Sequence, residues 1–126
     1  MSLEENKAIV RRFIMEVLAK GDVALVDELL APNYVNWSMP GQGVDNLKQF
    51  VGNMKKTIPD LELSIEDLVA EGDKVVARYT MKGTNAGSGM GSAPAGKPFT
   101  LRGLTFFRLA NGKIVEDDPI TNQDMQ

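Results

Sequence analysis

Apolar residues in this chain repeat with a helical period up to Pro59 and with a period of two beyond it, and that change of rhythm restricts the fold more than any other feature. Ahead of Pro59, Ser2 and Glu5 form an S-x-x-E capping box at a helix entry. Ile9, Val10, Phe13, Ile14, Val17 and Leu18 then form one apolar stripe, and Gly21 ends the helix as a left-handed cap. Asp22 is placed to cap a shorter second helix carrying Val23, Val26, Leu29 and Leu30, stopped by Pro32. A short strand is expected at Tyr34–Trp37, broken by Pro40-Gly41. A third helix then starts near Asp45 and aligns Leu47, Phe50, Val51 and Met54 on one face before Pro59.

Beyond Pro59, Leu61, Leu63 and Ile65 alternate with polar residues, as do Val75, Ala77, Tyr79 and Met81, with a turn at Glu71-Gly72-Asp73 between them. A loop spans Asn85 to Pro98. Phe99–Leu109 reads as a long strand and Lys113–Ile120 as a last one, joined by a hairpin at Ala110-Asn111-Gly112. Helices first and strands later imply an α+β fold, an antiparallel sheet wrapped against three N-terminal helices. With 126 residues, no internal repeat and no linker, the chain is read as a single domain, 1–126.

The residue inventory limits the chemistry. Neither Cys nor His occurs, so disulfides, thiol nucleophiles, imidazole catalysis and the usual zinc sites are excluded, and neither metal nor cofactor is expected. Acid/base work falls to carboxylates, Tyr, Lys, Arg, amides or hydroxyls. A net charge of −3 with scattered Lys and Arg argues against nucleic acid. No apolar run approaches the roughly 20 residues that span a bilayer, and no signal-peptide pattern is present, so a cytoplasmic setting without membrane contact is expected. The Gly-rich stretch Gly87–Gly96 contains G-x-G-x-G, but prolines and a strand follow it rather than a helix, so a flexible hairpin loop is the better reading than a phosphate cradle.

Three segments together resemble the SnoaL-like polyketide cyclases. Pro59-Asp60-Leu61 with Val69-Ala70-Glu71-Gly72-Asp73-Lys74-Val75 is similar to that family's "PDL…DLVAEGDRV" stretch. Gly83-Thr84-Asn85-Ala86-Gly87 through Met90-Gly91, Pro94 and Gly96-Lys97 is similar to its "GTHTGEFMGIPPTGR" hairpin, and Phe107–Glu116 to its "FRLADGKIVE" hairpin. The resemblance covers nearly the whole chain. It implies a cone-shaped curved sheet with three N-terminal helices enclosing a pocket, the cystatin-like or nuclear transport factor 2-like roll shared with ketosteroid isomerases. It also implies cofactor-independent ring closure on polyketide-like carbonyl compounds, although isomerases and epoxide hydrolases use the same fold.

The departures from the family pattern fall on its chemistry. Trp37, Asn85 and Thr105 stand where the family commonly has His, and in Val115-Glu116-Asp117-Asp118-Pro119 the proline takes the place of the family's acid in "VEEWD". Asp118 is therefore the candidate catalytic acid or base, presented at a bulge or edge implied by Pro119; the plainer reading is a solvated acidic strand end. Trp37 is expected either to wall the pocket and offer its indole N–H or to seal the core. Asn36 and Asn85 are candidate amide donors to a ligand carbonyl, or turn residues bonded to their own backbone. Tyr79 is a phenolic donor or a packing residue. Thr105 and Phe107 are assigned to the pocket, and Phe50 and Met54 either touch ligand or belong to the core. Leu104 and Phe106 share the opposite face with Arg102, which suggests a homodimer through the outer face of the sheet.

Three functions follow: a cyclase or isomerase of a small apolar or aromatic carbonyl compound, a binding domain that has lost the chemistry, or water activation of the epoxide hydrolase type.

Overall fold

The computed structural model describes residues 2–38, 43–84 and 96–122. Helix α1, Leu3–Arg12, starts at the expected box: Ser2 Oγ accepts from the Glu5 N–H and Glu5 Oε1 accepts from the Ser2 N–H, each at 3.0 Å. The helix then widens into a π-helical segment, Phe13–Leu18, in which the Ala19 N–H reaches back five residues to the Ile14 carbonyl at 3.0 Å. Gly21 terminates it with φ +77°, the left-handed geometry that glycine adopts without steric cost.

The second helical region is shorter than its apolar spacing suggested. A 3₁₀ turn at Val23–Leu25 leads into a single α turn, α2, Val26–Leu29, and Asp22 makes no side-chain cap. Pro32 does not stop a helix, because strand β1 already begins at Leu30 and runs to Asn36. The strand tolerates the proline because it lies at an edge of the sheet, where a missing donor breaks no ladder on the open side. Helix α3 covers Val44–Thr57 and buries Leu47, Val51 and Met54.

Strands β2 (Glu62–Glu71), β3 (Lys74–Thr84), β4 (Pro98–Ala110) and β5 (Lys113–Thr121) complete a five-stranded curved sheet in the order β1-β5-β4-β3-β2. The β2–β3, β3–β4 and β4–β5 pairs are antiparallel, as the alternation implied, but β1 lies parallel to β5. An all-antiparallel sheet is therefore corrected to a mixed one; the pairing joins segments too distant for any turn signal to report. Asn111 and Gly112 both have positive φ, 52° and 79°, the handedness that a tight hairpin needs.

The core lies between the concave face of the sheet and the helices. Phe13 meets Phe107 edge to face, with ring centroids 5.9 Å apart, and Val10, Val17, Val51, Val75 and Ile114 close around them. No helix among the described residues is long and apolar enough to cross a membrane.

Candidate functional site

The alternation of β4 decides which side chains turn inward. Gly103, Thr105, Phe107 and Leu109 are buried, whereas Arg102, Leu104 and Phe106 are exposed on the convex face. Beside the core, the inner face leaves a cavity of about 320 Å³. Ile14 and Leu18 from the π segment and Leu47, Phe50 and Met54 from α3 line one side. Leu63, Met81, Leu101, Phe107 and Pro119 add apolar wall from the sheet, and Asn36, Ser38, Tyr79, Thr105, Asp117 and Thr121 supply the polar groups.

Six residues singled out from sequence thus border one cavity: Asn36, Phe50, Met54, Tyr79, Thr105 and Phe107. Thr105 Oγ1 donates to Tyr79 Oη at 3.1 Å across the β3–β4 ladder. Asn85 lies outside the described residues, as does the Gly-rich stretch before Gly96.

Two expectations are corrected. Asp118 is exposed and is paired with Phe106, an outward residue of β4, so it does not reach the cavity. No bulge at Pro119 turns it inward, because the β4–β5 register is regular from Thr105↔Pro119 to Arg108↔Glu116 and shifts only beyond Arg108. Trp37 follows the last residue of β1 in a turn and is 57% exposed; its backbone N–H bonds the Asp117 carbonyl at 3.0 Å while its indole stays outside the cavity lining.

The carboxyl that does enter is Asp117. It pairs with the inward Phe107, shares a face with Pro119, and retains 4% of its exposure. Asp117 Oδ2 accepts from Tyr34 Oη at 2.9 Å, and Tyr34 Oη accepts in turn from Asn36 Nδ2 at 3.2 Å. Among the described residues Oδ1 has no hydrogen-bond partner. Burial pushes the Asp117 carboxyl up to about 7, helped by the charge of Asp118 and opposed by the Tyr34 hydrogen bond. The Tyr34 phenol is raised well above its ordinary range, by burial first and by the Asp117 charge second, so it stays a donor. The missed signal was parity: in an unbroken strand, Asp117 occupies the same face as Pro119, and Asp118 the other.

Among the described residues no group of three or more Asp or Glu side chains is disposed to hold a metal. The described lining is mostly apolar, with one carboxyl that burial raises towards neutrality, bordered by hydroxyl and amide groups.

A family model for SnoaL-like polyketide cyclases matches residues 8–123, so the chain belongs to the SnoaL-like polyketide cyclase family. Among solved structures, TsrD from Streptomyces laurentii is 26% identical and superposes with a TM-score of 0.85, covering 97% of this chain and 91% of its own. A candidate polyketide cyclase from Acidithiobacillus ferrooxidans is 26% identical with a TM-score of 0.80, covering 98% and 92%. One from Bacillus cereus is 26% identical with a TM-score of 0.81, covering 97% and 79%. A comparison with curated proteins gives no match. The curved sheet and helices are those of the nuclear transport factor 2-like cone.

Proposed function

We propose that this protein is a cofactor-independent cyclase or isomerase of small, neutral carbonyl compounds, with Asp117 as its acid/base group and the cytoplasm as its setting. The observation that carries the proposal is the Asp117 carboxyl, buried in the wall of a mostly apolar cavity with one oxygen held by Tyr34 and the other without a hydrogen-bond partner among the described residues. The carboxylate removes a proton from carbon next to a carbonyl, giving an enolate. In an isomerisation, the resulting carboxylic acid returns that proton to a different carbon. In an aldol ring closure, the enolate carbon bonds to a second carbonyl carbon, whose oxygen takes the proton from Asp117. Either sequence regenerates the carboxylate without an external reductant or oxidant. A carboxyl balanced near neutral pH suits both halves of the cycle. Asn36 borders the same space, and the Nδ2 hydrogen that it does not give to Tyr34 is available to the enolate oxygen.

Size and charge narrow the ligand. The cavity of about 320 Å³ equals about ten waters at roughly 30 Å³ each, which suits a compound of one or two rings. The described lining contains an acid and no Lys or Arg, so an anionic ligand would meet repulsion.

Exposure of Asp118 on its own fits a binding domain without chemistry, but Asp117 restores a carboxyl to the cavity. Epoxide hydrolysis has less support, because Arg102, the candidate partner for an Asp, lies on the convex face. The test is hydrogen–deuterium exchange at the α-carbon of a neutral bicyclic ketone such as β-tetralone, followed by proton NMR in D₂O. The wild type should accelerate exchange by about 10²-fold or more over Asp117→Asn, the range usual for a positioned acid/base group. Equal rates would favour the binding-only reading.

The proposal includes a homodimer through the convex face, where Leu104, Phe106 and Ile120 are exposed side by side, with Leu104 opposite Ile120 in the β4–β5 ladder.

A further inference from the structure

The bonds around Tyr34 have a direction that can be worked out from one unambiguous donor. The Ser38 backbone N–H can only donate, and it bonds Asn36 Oδ1 at 2.8 Å, with Ser38 Oγ on the same oxygen at 2.7 Å. That fixes the orientation of the Asn36 amide, which crystallographic density alone seldom settles. Nδ2 must then be the atom facing Tyr34 Oη, and Nδ2 can only donate. With that lone pair occupied, the phenol has its single proton to give, and the acceptor in reach is Asp117 Oδ2 at 2.9 Å. Ser38, Asn36, Tyr34 and Asp117 therefore form a one-way chain of donors ending on a carboxyl oxygen.

We infer that Tyr34 is a positioning residue, oriented by Asn36, that reserves Oδ2 of Asp117 as a permanent acceptor and so confines the exchangeable proton to the cavity-facing oxygen, Oδ1. The inference rests on Asp117 being the acid/base group. Tyr34 is almost wholly buried and does not line the cavity, so it acts through Asp117 and not on substrate. It has a second consequence. A hydrogen bond donated to the carboxylate favours the charged form, so Tyr34 holds Asp117 below the value that burial alone would impose. Other titratable groups around Asp117 are Tyr79, which also lines the cavity, and Asp118, next in the strand; the helices bring only apolar side chains to the described lining. Parallel pairing of β1 with β5 makes the arrangement possible, because it sets Asn36 beside Asp117 in register.

The experiment is a carboxyl carbon-13 NMR titration of protein labelled at Asp, with the Asp117 signal assigned by its loss in Asp117→Asn. Tyr34→Phe keeps the ring and removes the donor, and should move the Asp117 midpoint up by about one pH unit or more, as expected for a lost hydrogen bond to a charged group. Asn36→Ala should move it the same way by less. 3-Fluorotyrosine, incorporated in a Tyr79→Phe background so that Tyr34 alone carries it, is a stronger donor and should move the midpoint down from that of the unlabelled background protein. Neutron diffraction below the midpoint should place deuterium on Oδ1. An Asp117 signal indifferent to both ring changes, or deuterium on Oδ2, overturns the inference. Should Tyr34→Phe fail to fold, the fluorotyrosine comparison decides alone. A midpoint in the ordinary carboxylate range that still responds to Tyr34 would keep the positioning role and remove the acid/base proposal instead.

Discussion

Gly103 of β4 lies directly across the ladder from Tyr79 of β3, and a methyl group on its α-carbon would stand 2.7 Å from Tyr79 Cζ and 2.8 Å from its hydroxyl oxygen. The missing side chain lets the Tyr79 ring lie over β4 and meet Thr105. Gly103→Ala should therefore displace the ring, break the Thr105–Tyr79 bond and lower stability by about 1–3 kcal/mol, the usual cost of overpacking. Urea denaturation measures the loss, and exchange at β-tetralone should fall with it. An unchanged midpoint and unchanged exchange would show that the ring is not held as described.

Asp117 gives the protein a characteristic pH dependence. Its carboxyl titrates near 7 when folded and near 3.8 when not, so between those values the folded protein binds more protons than the unfolded chain. This contribution is fully present below the unfolded value and is lost as pH rises through the folded one, at about 1.4 kcal/mol per pH unit at most. Asp117→Asn cannot ionise and should lack that decline. Thermal melts of both proteins between acid and neutral pH should converge at low pH and separate towards neutrality, with the variant the more stable. Parallel curves would contradict the buried carboxyl.

Asp118→Asn should behave quite differently. The side chain is exposed on the convex face, so stability should change by no more than about 0.5 kcal/mol and ketone exchange should persist. Because the Asp118 charge helps raise its neighbour, the Asp117 midpoint should move down. Loss of activity in Asp118→Asn with Asp117 still titrating normally would return the catalytic role to the outer residue.

These two neighbours show how far the sequence could be read. The capping box of α1 and the Asn111-Gly112 hairpin are local signals and formed as expected, whereas the apolar stripe runs on from α1 into the π-helical segment. Thr105 was placed inward by the family resemblance and Phe107 by sharing its strand face, and both line the cavity. The acid was misplaced because the proline was expected to disturb the strand, whereas the register shift falls earlier, beyond Arg108. Trp37 was assigned inward by its place in the family pattern, yet β1 turns Tyr34 and Asn36 in and ends before the indole. Tyr34 was read only as part of a strand, since its bond to Asp117 spans 83 residues and local periodicity cannot report it.

The convex face offers a separate measurement. If the exposed Leu104, Phe106 and Ile120 meet a second copy, analytical ultracentrifugation of the wild type should give a dimer and Phe106→Glu a monomer. A wild type that sediments as a monomer at every accessible concentration would remove the dimer.

The parallel contact between β1 and β5 also sets when the cavity can exist. Tyr34 and Asn36 are made early, but their carboxyl partner arrives on the last strand, so during synthesis the ribosome releases helices and most of the sheet before the acid is present. Until β5 emerges and slots between β1 and β4, the nascent chain has an open seam with buried-type polar groups awaiting their acceptor. Assembly of the Tyr34–Asp117 pair is thereby tied to closure of that seam, and a chain stalled before β5 would lack the cavity carboxyl and be exposed along two strand edges.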